Sequence, residues 1–201
     1  MIISLFGPDG VGKTVAANTL GQELGIPVLN GSKPSTWPDT SWYDSFTREG
    51  IYEGGPVDDL MFFNEMITRA HQQAMAIDDE QGSVIVDSDP FHKVFIHDFI
   101  NGRIAADAMA KHVRGLELFA NHDEGREWRH VHLRLSRTGT PIEHATEMQR
   151  RIQVRGNVSP YDPATIDASL EMIHASDALY NQLGLAGFSL VDAYSNEPGI
   201  L

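Results

Sequence analysis

The 201-residue chain contains no cysteine. That absence removes disulfide scaffolds, thiolate zinc sites, iron–sulfur clusters and cysteine nucleophiles together. Positive charge is scarce as well: 15 Lys and Arg stand against 28 Asp and Glu, a formal charge of −13. Coating nucleic acid or an anionic membrane takes an excess of Lys and Arg, so neither is the expected partner. A small anion in a local basic site stays open. Long apolar runs are also lacking: Met1–Phe6 is too short to span a bilayer or form a signal-peptide core, and no basic flank precedes it. The expectation is a soluble protein in a reducing compartment, the cytoplasm. The length fits one domain, 1–201, able to bury roughly 70% of its unfolded surface without metal or disulfide staples.

No repeat or low-complexity stretch interrupts the chain. What it does have is alternation. Met1–Phe6 (MIISLF) and Ser83–Val86 (SVIV) read as strands buried on both faces, Val131–Leu135 (VHLRL) as an alternating strand, and Phe188–Val191 (FSLV) as a fourth. Between them lie helical patterns. Ala17, Leu20 and Leu24 mark a helix from Lys13 that Gly25 and Pro27 stop. Leu60, Phe63, Ile67, Ala70 and Ala74 mark a second, with Asp58 and Asp59 where its dipole favours anions. Met109, Val113, Leu116 and Ala120 mark a third, and another is expected from about Asp162–Pro163 to Leu183. Strands alternating with helices of this length predict an α/β fold with a parallel sheet and helices on both faces. Residues 30–57 fit neither pattern, and a connection that long is usually functional or partly helical.

Gly7-Pro8-Asp9-Gly10-Val11-Gly12-Lys13-Thr14 matches G-x-x-x-x-G-K-[ST], directly after the first strand and before the first helix. Glycines let the backbone curl so that successive N–H groups face a phosphate, and the helix N-terminus adds partial positive charge. Lys13 then sits between β- and γ-phosphates, and the Thr14 hydroxyl coordinates Mg²⁺. Asp9, Gly10, Val11, Gly12, Lys13 and Thr14 are the candidate nucleotide-binding residues.

Three features point from this loop to a reaction. Val84-Ile85-Val86-Asp87 delivers a carboxylate at the C-terminal end of a buried strand, where ligands bind in open α/β sheets. Asp87 is read as a Mg²⁺ partner or a proton acceptor, against the alternative of a turn aspartate; Asp89 is read as a cap for the helix that Pro90 begins. Arg134, Arg137, Arg150, Arg151 and Arg155 form a basic cluster in an acidic chain. Arginines closing over a γ-phosphate suit phosphoryl transfer, although Glu143 and Glu147 make a solvated basic helix face the competing reading. Arg69, on the long helix, either meets an anion or sits at the helix flank in water.

In this order, GPDGVGKT, the helix with Arg69-Ala70-His71, the strand ending in Asp87, the run Ile142–Gly156 and Val191-Asp192-Ala193 resemble the thymidylate kinase and deoxynucleoside kinase branch of the nucleotide kinases. The resemblance spans nearly the whole chain. It implies a P-loop NTPase fold with a five-stranded parallel sheet, ATP and Mg²⁺ at the loop, and a lid over about 136–160 carrying Arg150, Arg151 and Arg155. It further implies that Asp9 contacts a sugar hydroxyl of the acceptor, that Arg69 binds the acceptor's phosphate, that Asp87 is the metal-linked or base carboxylate, and that the protein is a homodimer. Two departures stand out. Ser88 and Asp89 follow Asp87 where the family usually has Arg, and Glu65 stands where thymidylate kinases tend to carry a base-stacking aromatic. Phe63, or alternatively Phe62, Trp37, Trp42 or Tyr43, is a candidate for that part, and the expected acceptor is something other than plain thymidylate.

The remaining chemistry is thin. Nine histidines include no H-E-x-x-H, and His130 with His132 is a two-ligand fragment, so structural or surface roles are expected. The GTPase motif N-K-x-D and a nucleophile elbow are both missing. The expected function is ATP-dependent phosphoryl transfer to a (deoxy)nucleoside monophosphate. The alternatives are a kinase of a nucleoside or other small hydroxylated metabolite, and a non-catalytic nucleotide-binding protein. An acidic exterior around a basic pocket would admit small Mg-nucleotides and repel long polyanions.

Overall fold

The computed structural model describes residues 1–43, 56–90, 92, 96, 126–155 and 163–195, with 56–64 described by backbone alone. Its elements run β1 (Ile2–Phe6), α1 (Lys13–Leu24), β2 (Val28–Asn30), a 3-10 turn (Pro34–Thr36), α2 (Pro56–Gln81), β3 (Val84–Asp87), β4 (Trp128–Arg134), α3 (Pro141–Arg155), α4 (Ile166–Leu185) and β5 (Ser189–Tyr194). The strands form one sheet in the order β2-β3-β1-β4-β5, and every pairing is parallel. This is the expected α/β architecture.

Burial explains why these segments take these shapes. β1 and β3 are covered on both sides, so they are apolar apart from Ser4 and the strand-end Asp87. On one face Ile3, Leu5, Ile85, Val131 and Leu133 pack on Ala16, Ala17 and Leu20 of α1. On the other, Ile2, Leu29, Val84 and Val86 pack on Met66, Ala70 and Ala74 of α2, while Phe6 meets Met172, Ala175, Leu179 and Leu183 of α4. Helices therefore cover both faces. α1 stops at Gly25, whose φ of 66° a side chain would resist.

Several boundaries differ from expectation for local reasons. β2 was not anticipated, because three residues between Pro27 and Gly31 carry no readable period. β4 begins at Trp128 rather than Val131, because its first residues pair with Ile2 and Ile3. α4 begins at Ile166, after Thr165 accepts a hydrogen bond from the Ala168 N–H, rather than at Asp162–Pro163. The long helix reaches back to Pro56 and forward to Gln81. The helix expected around Met109–Ala120 lies outside the described residues.

Candidate active site

β1 ends at Phe6 and the chain curls at once. Gly7, Gly10 and Gly12 take φ values of 144°, 84° and 104°. Gly7 also has no room for a side chain: a Cβ there would lie 2.5 Å from the Leu133 carbonyl oxygen of β4. Gly12 occupies the N-cap of α1 and brings no side chain to occupy the first-turn N–H groups, which suits a bound phosphate. Lys13 is buried, and its Nζ donates to the carbonyl oxygens of Gly7 (2.9 Å) and Pro8 (3.0 Å) and to Asp9 Oδ1 (3.3 Å). The loop thus wraps its own ammonium. A phosphate entering it can take over those acceptor positions. Thr14 lies exposed in the first turn of α1.

Sheet register sets Asp87 beside this loop. Ser4 pairs with Val86, so Asp87 leaves the sheet alongside Leu5, near where β1 runs into Gly7. Asp87 is buried, accepting hydrogen bonds from Asn30 Nδ2 and Ser88 Oγ, each at 3.2 Å. Thr14 and Asp87 offer oxygen donors only, the set that suits Mg²⁺ completed by substrate phosphates. Among the described residues no group of three or more His, Asp or Glu could hold a metal on its own.

Asp89 stands directly before the helical residue Pro90, the position expected of a cap, and it makes further contacts there. It is buried, 3.4 Å from His71 Nε2 of α2, and its N–H donates to the Leu5 carbonyl at 3.1 Å. Burial pushes its carboxyl up, but His71, His92 and Ser4 around it together hold it well below the usual carboxylate range.

The arginine cluster divides. Arg151 reaches the loop: its Nη1 donates to the Val11 carbonyl (3.4 Å) and to Ser195 Oγ (3.3 Å), and lies 3.7 Å from where a Gly12 Cβ would stand. Arg150 is exposed and held by two bonds to Glu147, and Arg155 is exposed in the last turn of α3. Hydrogen bonds from Arg150 and Arg151 hold the Glu147 carboxyl down at about 2. Arg134 pairs with Asp177 (3.3 Å) and Asp192 (3.5 Å), and the Arg137 guanidinium stands over the Tyr194 ring at 4.9 Å.

On the acceptor side, Arg69 is exposed and its Nε donates to Glu65 at 2.7 Å. Trp37 is buried in the α2 core, its Nε1 donating to the Asn30 carbonyl. Trp42 stacks obliquely on it with ring centroids 5.9 Å apart, and Tyr43 meets Trp42 edge-on at 6.0 Å. Trp37 is therefore a packing residue. The side chains of Phe62 and Phe63 lie outside the described set.

The sequence reading missed Asn30, Asp177 and Tyr194. A cavity of about 360 Å³ beside Pro8 is lined by Arg134, Arg137, His144, Asp177 and Tyr194. Its parts come from β4, α3, α4 and β5, so no local spacing announces it. Burial pushes the Asp177 carboxyl up against the pull of Arg134.

Deoxyadenosine kinase from M. mycoides with bound dATP matches with a TM-score of 0.57 at 13% identity, covering 98% of this chain and 92% of that one. The chain has a P-loop kinase fold. The same enzyme with the products dCMP and a flexible dCDP matches the P-loop kinase fold of this chain at a TM-score of 0.56 and 13% identity, covering 96% and 90%. With bound dCTP it matches at 0.56 and 12%, covering 99% and 92%. No family model and no curated protein matches the sequence. Among the described residues no helix is long and apolar enough to cross a membrane.

Proposed function

We propose that the protein transfers the γ-phosphoryl group of ATP to a (deoxy)nucleoside monophosphate. One observation carries the reading: a buried Lys13 in a glycine-curled loop, with the buried carboxylate of Asp87 at the neighbouring strand end and Arg151 reaching the loop from α3. Phosphoryl transfer asks little covalent chemistry of a protein, so positioning and charge stabilisation are what such a site supplies.

In this mechanism loop N–H groups and Lys13 hold the β- and γ-phosphates. Thr14 and Asp87 would hold Mg²⁺, which neutralises charge between those phosphates when bound. An acceptor oxygen attacks the γ-phosphorus as the bond to the β,γ-bridging oxygen breaks. ADP leaves, and any proton on the attacking oxygen passes to Asp87 or to water. On the proposed lid over about 136–160, Arg151 shields the transferring group, while Arg150 and Arg155 lie exposed on the same helix. Asp9 faces the acceptor sugar and Arg69 its phosphate. The homodimer and the cytoplasmic location belong to the same proposal, and sedimentation tests the first.

The Arg69–Glu65 pair bears on the acceptor. An exposed i, i+4 pair is worth about 0.3–0.5 kcal/mol, so Arg69 can exchange Glu65 for a phosphate at little cost. If the pair persists instead, carboxylates dominate the acceptor side, and a neutral hydroxylated acceptor such as a nucleoside is the second reading.

Incubating the purified protein with ATP, Mg²⁺ and a panel of nucleosides and monophosphates, and following ADP release, distinguishes these. Acceptor-dependent release with a monophosphate is expected, and it should vanish in Lys13→Ala. Release with nucleosides alone favours the second reading. ATP binding with no turnover on any acceptor would sink the kinase proposal.

A further inference from the structure

Asp87 and Asp89 sit two residues apart, and both are buried. Their partners lie in different directions. Asp87 bonds to Asn30 at the end of β2, whereas Asp89 contacts His71 of α2 and, through its N–H, the Leu5 carbonyl of β1. Ser88 between them adopts φ 57°, the one described non-glycine residue with a left-handed backbone. A serine resists that conformation and holds it only where its surroundings impose it.

The imposing contacts are visible. On the β2 side the Gly31 N–H donates to the Asp87 carbonyl at 2.9 Å, and a Cβ on Gly31 would stand 3.1 Å from the Ser88 carbonyl oxygen. On the other side Asp89 is anchored by backbone and side chain together. His71 is itself fixed, edge-on to Trp128 of β4 with ring centroids 5.6 Å apart, and buried. The turn is thus stretched between two anchors, and the first residue of that stretch is the proposed catalytic carboxylate.

We propose that Asp89 is a positioning residue: through His71 and the β1 backbone it holds the left-handed turn at Ser88, and so fixes the Asp87 carboxylate relative to the nucleotide loop. The proposal rests on the phosphoryl-transfer reading above. It also ties α2, the helix that carries Arg69, to the same strand end, so donor and acceptor sides share one anchor. The sequence departs from the resembling family at this place: Ser88 and Asp89 follow the strand-end carboxylate where an arginine is usual.

Asp89→Asn keeps the shape of the side chain and removes its charge. ATP affinity is to be measured by calorimetry with and without Mg²⁺, beside kcat, KM and thermal stability. In the wild type Mg²⁺ should tighten ATP binding. In Asp89→Asn that tightening should shrink at least tenfold and kcat fall 10- to 100-fold, while ATP affinity without Mg²⁺ stays within twofold because the loop is untouched. Adding Ser88→Gly should restore much of both, since glycine takes the turn without being held. His71→Gln breaks the same contact from the other side and carries the same expectations, including where Asp89→Asn does not fold. Full Mg²⁺ dependence and full kcat in a variant that has merely lost thermal stability overturns the proposal while leaving the kinase reading intact. A wild type that binds no ATP overturns both.

Discussion

A guanidinium helps a transferring phosphoryl group only when it is near and can change partners. Arg150 and Arg151 are neighbours in sequence and both bond to Glu147, Arg150 through two nitrogens at 2.7 Å and Arg151 through Nε at 3.0 Å, but Arg151 also turns Nη1 to the loop. Arg151 already lies against the loop, and its nearest partners there are a carbonyl and a hydroxyl, acceptors that a phosphate readily outcompetes. Arg150 is 61% exposed and held by Glu147. Arg151→Ala is therefore expected to lower kcat by about 10²–10³-fold, the scale of losing one transition-state donor, whereas Arg150→Ala changes it by less than about threefold. Steady-state rates with the same acceptor decide it, and equal losses would show that placement on α3 does not separate their roles. The sequence exposed both arginines and Asp87 but not Asn30, because the Asn30–Asp87 bond spans 57 positions and β2 carries no signal.

Elements were legible in proportion to how uniformly they are buried. β1 and β3 lie inside the sheet, covered on both faces, so each is apolar apart from Ser4 and the terminal Asp87. β2 lies at the edge with three residues and shows no pattern, whereas β5 at the other edge, with two of its six positions exposed, is legible only over Phe188–Val191. The nucleotide loop was legible for another reason, since its glycines answer a geometric demand. Gly7→Ala meets both a φ of 144° and a carbonyl oxygen 2.5 Å away, whereas Gly25→Ala meets only a φ of 66° with open space around it. The first should cost about 2–4 kcal/mol and the second about 1 kcal/mol, because strain and clash add at Gly7 and strain stands alone at Gly25. Urea unfolding of the two variants beside the wild type measures this. Equal costs would mean the loop can move away from β4.

Among the described residues, four histidines, His71, His92, His130 and His132, lie in the interior of the molecule. The sequence placed two of them on one strand but could not show that Phe6 would lie between rings, 4.8 Å from His92 and stacked on His132 at 4.9 Å. His92 Nε2 and His130 Nδ1 are 3.1 Å apart, a distance that demands a shared proton and a neutral partner. Burial is the main force driving the His130 and His132 rings down to about 3, and neighbouring positive charge adds to it. Because their folded values lie below the ordinary 6.5, the unfolded chain takes up protons first as pH falls. Their contribution is therefore complete above pH 6.5 and is lost between there and about 3, at up to about 1.4 kcal/mol per pH unit for each ring. For the pair the loss between pH 7.5 and pH 5 comes to about 3–4 kcal/mol, whereas Asp89 adds its own loss only below the ordinary carboxylate range. His132→Phe keeps a ring against Phe6 and Tyr180 and removes one titrating group, so its loss of stability over the same interval should be smaller than the wild type's by the share of one ring, the buried His92 and His130, both held below the ordinary value, supplying the rest. Urea unfolding of both proteins at the two pH values, without nucleotide, tests this. A wild type whose stability does not change over that interval would show that these rings are not held neutral in the folded chain.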